Sequence, residues 1–263
     1  MWQDTNKQKQ SLMDLEYSAL SDQGALPSRL RLYPSAKSED EKGISIFYAP
    51  FEHINKNAKI ALIGITPGKS QMVRACRAAK QAALNGTSVE QAVSDVKKHA
   101  SFNDKTGRMR ENLYNEIDDW CIPEAIGAIS GNSLFHEDWH LVHTTSVLKY
   151  PVFKGGENYE GGSPKIMSHS ITKEMVYEIF VPELNRIPDA WLFPLGPKVS
   201  EVISRLQKEL KLKNKVFHGM MHPSTNNNYR FDYLLGDRSG SEPYRTNTQA
   251  YDDARDAFKR EML

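Results

Sequence analysis

Two apolar runs that end in tight turns, about 155 residues apart, most constrain what this chain can fold into. The first, Lys59-Ile60-Ala61-Leu62-Ile63, runs into Gly64-Ile65-Thr66-Pro67-Gly68. The second, Val216-Phe217-His218-Gly219-Met220-Met221, runs into His222-Pro223-Ser224. Short continuous apolar runs bounded by Gly and Pro read as strands buried on both faces. Open α/β sheets build their sites outside the carboxyl ends of such strands.

Around these runs, strand-like and helical patterns alternate. Helices are expected over Ser70–Leu84, Val89–Ala100, Leu113–Trp120, Lys173–Leu184, Lys198–Leu210 and Gln249–Lys259. Strands are expected over residues 59–65, His140–Thr145, Ala190–Leu195 and Lys215–Gly219. Alternation of this kind implies right-handed crossovers and a mostly parallel sheet. The expected fold class is therefore a three-layer αβα arrangement around a central, mostly parallel, four-stranded sheet. Residues 1–43 are polar, with a helical stretch near Gln8–Leu20 and the charged loop Lys37–Lys42, and read as an N-terminal accessory arm. The α/β domain is expected to span residues 44–263, starting at Ile44-Ser45-Ile46-Phe47-Tyr48. The segment Lys154–Pro164 carries four glycines around Tyr159 and reads as a mobile loop, either a surface excursion or a wall over a ligand.

With 263 residues, 39% of them hydrophobic, the chain can bury one good core. A net charge of +1 confines any nucleic-acid contact to a local basic face. The two cysteines, Cys76 and Cys121, are too few and too far apart for a zinc knuckle or a four-cysteine iron-sulfur cluster, and read as core thiols. No metal and no cofactor is expected. No apolar signal segment follows Met1 and no 18 apolar residues run together, so a cytoplasmic protein with no membrane partner is expected.

The backbone amides of a Gly-x-x-Pro-Gly turn that opens a helix can cradle an anion. Gly64, Pro67 and Gly68, with the Lys69 ammonium, are the candidates for that role, although a structural turn would have the same sequence. Gly68-Lys69-Ser70 repeats the ending of the nucleotide P-loop, but Ile63 stands where that pattern needs its first glycine and Pro67 interrupts the loop, which argues against an ATPase. His222 at a strand end can donate a hydrogen bond to a developing anion, and the Ser224 hydroxyl can hold a phosphate.

Taken together, these motifs resemble the uracil-DNA glycosylase superfamily. Gly64-Ile65-Thr66-Pro67-Gly68 is similar to the Gly-Ile-Asn-Pro-Gly of its mismatch-specific branch, and His222-Pro223-Ser224 matches its second motif. Val142–Pro151 resembles the strand and loop in which the iron-sulfur branch carries its base-reading Asn; Val181–Leu184 and Pro188–Gly196 resemble its next helix and strand. The likeness covers roughly residues 44–235. It implies that Thr66 positions water, that His222 stabilises the leaving base, that Ile65 and Ser146 contact the base, and that Ser224 contacts DNA phosphate. It also places a duplex wedge at Tyr229 or Arg230.

The departures shape the expected chemistry. Thr66 stands where the family has Asp, Glu or Asn, and a hydroxyl is no base at neutral pH. Glu52 and, in the Gly-rich segment, Glu157 or Glu160 are the candidate replacement carboxylates, though most glutamates are simply solvated. Ser146 replaces the Asn that pairs with a pyrimidine edge, leaving more room and fewer contacts. The expected activity is a monofunctional DNA glycosylase that flips out and excises a modified, bulky or hypermodified pyrimidine and leaves an abasic site, with DNA as partner and defence against phage DNA as a fitting role. Conventional uracil or mismatch repair, a catalytically silent nucleic-acid-binding protein, and a nucleoside hydrolase are the alternatives.

Overall fold

The computed structural model describes residues 5–34 and 37–263. In chain order the elements are α1 (Asn6–Asp14), β1 (Arg31–Tyr33), β2 (Ile44–Phe47), β3 (Ile60–Gly64), α2 (Lys69–Leu84), α3 (Val89–Ala100), α4 (Arg108–Asp119) and α5 (Ile122–Ile126). There follow β4 (Val142–Ser146), β5 (Val152–Lys154), β6 (Glu157–Asn158), α6 (Ser170–Met175), α7 (Val181–Leu184), β7 (Trp191–Pro194), α8 (Pro197–Leu210), α9 (Asn228–Leu234) and α10 (Thr248–Met262). The chain is mixed α/β and divides into two compact units. The first comprises Met1–Ile54, Ile65–Asn103 and Thr145–Arg186; the second comprises Asn55–Gly64, Asp104–Thr144 and Ile187–Leu263.

The parallel sheet has three strands in the order β4-β3-β7, and β3 pairs with β7 in parallel from Ile60 opposite Trp191 to Ile63 opposite Pro194. All five residues of β3 are buried, as a strand covered on both faces requires. The expected fourth strand is reduced to one parallel bridge, Leu192 to Val216. Leu192 donates to the Lys215 carbonyl at 2.8 Å and accepts from the Phe217 amide at 2.9 Å, and then the ladder stops. The cause is Gly219, whose φ of +120° turns the chain out of extended geometry. An aromatic cluster fills the core of this unit. Phe217 lies 4.8 Å from Phe258 of α10 and 5.5 Å from Phe193, while Trp120, just after α4, reaches Phe193 edge-on at 6.4 Å.

The first unit holds a second sheet, antiparallel, in the order β1-β2-β5-β6, which the alternating pattern did not foreshadow. Lys154–Asn158, the start of the expected loop Lys154–Pro164, instead folds with Val152 and Phe153 as a hairpin, Lys154 opposite Glu157 across Gly155-Gly156. Both glycines have positive φ, +58° and +79°, the requirement of a two-residue turn whose twist matches its strands. Residues 5–33, within the expected accessory arm of residues 1–43, pack into the first unit. Leu12, Leu20 and Leu30 are fully buried, Lys80 of α2 donates to the Met13 carbonyl, and β1 pairs with β2, so no structural break falls at residue 43. The helix expected over Lys173–Leu184 is α6 joined to α7 by a π-helical turn, Val176–Phe180. Pro182 has no amide hydrogen for the regular ladder, and the wider turn absorbs the defect.

A buried ionic group holds three parts of the first unit. Lys149 pairs with Glu183 and donates to the Phe51 carbonyl at 3.3 Å; Lys97 lies 3.9 Å from Glu183 and donates to the His53 carbonyl at 2.6 Å. Burial, with Lys149 alongside, pulls the Lys97 ammonium well below the usual lysine range. Removing one member of such a group strands the others without compensation. Glu183→Gln should therefore lower stability by about 3–5 kcal/mol in urea unfolding; a loss of about 1 kcal/mol or less would show that the lysines need no counter-charge.

Candidate active site

The carboxyl edge of the parallel sheet in the second unit carries the histidine motif. Leu195, past the end of β7, donates to the Ile63 carbonyl at 2.9 Å, and Gly196 donates to the Met220 carbonyl at 2.9 Å. Those two bonds place the ends of β3 and β7 beside Met220–His222. Gly196 has φ +88°, and a Cβ there would stand 3.0 Å from the His222 Cβ. Only glycine fits that close approach.

His222 is half-buried, and its protonation is set by its surroundings. Burial, helped by the Lys198 charge, lowers the imidazole to about 4, so it is neutral at pH 7. The Ser224 amide donates to His222 Nδ1 at 3.4 Å. Nδ1 is thus the acceptor and Nε2 carries the proton, which leaves one N–H to donate.

The turn that holds this ring is over-determined. The Asn227 side-chain amide donates to the His222 carbonyl at 2.8 Å, and the Asn227 backbone amide donates to the Ser224 carbonyl at 2.8 Å. From α4, Asn112 donates to the Pro223 carbonyl at 3.2 Å and to Asn228 Oδ1 at 2.8 Å. One helical turn on, Glu116 accepts from the Met221 amide at 2.7 Å. Glu116 is fully buried and its other oxygen has no partner. Burial pushes its carboxyl well above the usual range, so it is the neutral acid. Neither Asn112 nor Glu116 was singled out from sequence, although their spacing of four among Leu113 and Ile117 places two polar groups on the buried side of a helix.

The remaining candidates have other placements. Ile65, Thr66, Pro67, Gly68, Lys69, Ser146, Glu52, Glu157 and Glu160 belong to the first unit. The Thr66 hydroxyl donates to the Tyr150 carbonyl and accepts from the Val152 amide, both at 3.0 Å. Its one hydrogen is committed, and it keeps one acceptor position for a water. The Lys69 amide donates to Asn158 Oδ1 at 2.9 Å and the Lys69 ammonium donates to the Gly24 carbonyl at 2.6 Å, so protein groups already take the amide and one of the three ammonium donors. Ser146 ends β4 and is half-buried. The carboxyl oxygens of Glu52 are buried without hydrogen-bond partners, and burial pushes the group up; Glu157 and Glu160 are exposed.

Tyr229 and Arg230 lie in α9, not in a loop. The Tyr229 hydroxyl donates to the Tyr244 carbonyl at 3.4 Å, and Arg230 donates to the Arg245 carbonyl at 2.6 Å. Such ties hold them against the 244–245 segment. Cys76 is a buried free thiol and Cys121 a half-buried one. Among the described residues no group of three or more His, Cys, Asp or Glu is placed to hold a metal ion, and no helix is long and apolar enough to cross a membrane.

Fold and site thus define a mixed α/β protein with a His-Pro-Ser turn at the carboxyl edge of a three-stranded parallel sheet. The chain belongs to the family of the uncharacterized protein YoxB of Bacillus subtilis (strain 168), to which it is 39% identical over 193 residues, 72% of this chain and 74% of that relative. No known family profile matches the sequence, and no solved structure matches it.

The state of Glu116 has a measurable consequence. A carboxyl whose folded-state value is raised contributes stability that is fully present below its unfolded value, near 4.5, and is lost as pH rises through the raised value. Glu116→Gln keeps the acceptor for Met221 and cannot ionise. The variant should equal the parent at pH 4 and gain on it at higher pH by up to about 1.4 kcal/mol per pH unit, in denaturant unfolding at a series of pH values. Parallel pH profiles for the two proteins would show that folding leaves the Glu116 carboxyl at its unfolded value.

Proposed function

We propose that this protein is a monofunctional DNA glycosylase of the uracil-DNA glycosylase type, acting in the cytoplasm on a modified pyrimidine. The observation that carries this reading is His222, a neutral imidazole with its Nε2 proton available at the carboxyl edge of a parallel sheet. Hydrolysis of an N-glycosidic bond sends the bonding electron pair out with the base and leaves an oxocarbenium-like sugar. A neutral N–H donor aimed at the base oxygen stabilises that departing anion without transferring its proton. Water then adds to the sugar carbon and its proton passes to solvent, giving the free base and an abasic site. Thr66 can accept one hydrogen bond from that water and so orient it, but not deprotonate it. A cation this electrophilic needs little base assistance. Ser146, in place of an amide side chain, supports a roomy pocket, which favours a bulky or hypermodified base over plain uracil. The finer fold class that accompanies this reading is the three-layer αβα glycosylase architecture.

One observation favours a second reading, a nucleic-acid-binding protein without catalysis: the Thr66 hydroxyl and the Lys69 amide are both engaged by protein groups. Alkaline strand cleavage after incubation separates the two. On a panel of uracil-containing, thymine-mismatch and hypermodified phage DNAs, cleavage should be confined to the modified DNA and should fall by roughly 100-fold or more in His222→Ala. Salt-sensitive DNA binding with no base released from any substrate would establish the binding protein instead.

A further inference from the structure

The N-terminal segment and helices α2 and α3 take no part in the proposed chemistry, yet together they line a half-open cavity of about 340 Å³ within the first unit. Val73, Arg74, Arg77, Ala78 and Gln81 supply one face of α2; His99 comes from α3, and Tyr17 and Asp22 come from the segment after α1. The volume sits at the lower end of the range of small-molecule sites, roughly 300–1,000 Å³.

Its chemistry is mixed, and in a specific way. Among the described lining residues, Arg77 brings an exposed guanidinium to the cavity and Asp22 brings a carboxylate. Arg77 is held in place at both ends: its guanidinium lies 5.5 Å from the centre of the Tyr17 ring, and the Tyr17 hydroxyl donates to the Arg77 carbonyl at 3.2 Å. A guanidinium fixed in this manner is suited to bidentate recognition of a phosphate. Asp22 Oδ1, in contrast, is buried with no hydrogen-bond partner. An orphaned carboxylate oxygen is costly, and an N–H donor would relieve it. Inorganic phosphate has no N–H donor to offer Asp22 and would be repelled by it.

We propose that this cavity binds a nucleoside monophosphate, its phosphate taken by Arg77 and the N–H edge of its base taken by Asp22. None of its lining residues belongs to the His222 turn, and its occupancy does not depend on whether the protein releases bases. Titration calorimetry on the full chain with guanosine monophosphate, adenosine monophosphate and inorganic phosphate tests it directly. A nucleotide should bind more tightly than phosphate. Arg77→Ala, an exposed position whose loss leaves the core intact, should weaken the nucleotide about tenfold or more. Asp22→Ala should weaken the nucleotide by a similar factor while strengthening inorganic phosphate, because the repelling carboxylate is gone. Thermal melting of both variants confirms that they are folded. Failure of all three probes to bind overturns the proposal, as does an Arg77→Ala variant that binds unchanged. Phosphate binding as tightly as either nucleotide, or indifference of the nucleotide to Asp22→Ala, removes the base from the recognition and overturns it too.

Discussion

The arrangement at His222 depends on a steric constraint at Gly196. There β7 ends, the backbone takes a φ of +88°, and its amide is given to the Met220 carbonyl. Any side chain at that position would enter the space of the His222 Cβ. The absence of one allows the histidine segment to lie against the sheet edge where a fourth strand would otherwise continue. Gly219 cooperates by breaking that strand after one bridge, so the chain arrives at the edge as a turn and not as a ladder. Two glycines thus convert a strand position into a presented side chain.

Around that turn the polar groups are arranged so that each does one task. Asn112 and Asn227 hold carbonyls, Glu116 holds an amide, and the Ser224 amide holds one ring nitrogen. What is left over on the imidazole is its second ring nitrogen. Preorganisation of this kind is how a site keeps a donor ready without reorganising at the moment it is needed. In the first unit the logic differs. Thr66 is spent on joining the Ile65–Gly68 turn to the Tyr150–Val152 segment, and Asn158 Oδ1 accepts the Lys69 amide at the start of α2.

The parallel sheet was legible because β3 and β7 are continuous apolar runs, which only burial on both faces explains. The antiparallel sheet was not, because its strands have two to four residues and leave little room for alternation to show. Gly155-Gly156 between two short extended stretches was a hairpin signal, obscured by further glycines at 161 and 162. In the site, His222 could be picked out because His-Pro-Ser follows an apolar run. Glu116 could not, because a glutamate in a helix ordinarily faces water, and only the packing of α4 shows that this one does not. The use made of Thr66 was equally hidden, since its partners are backbone groups more than 80 residues away.

A neutral anchor has one further property. The bond from Met221 to Glu116 joins an amide to an uncharged, fully buried acid, so dissolved ions have almost nothing to screen there. Contacts to a polyanion behave oppositely and weaken steeply as salt is added. The bond that anchors the turn presenting His222 is therefore insensitive to ionic strength, whereas the DNA contact proposed above would weaken with it.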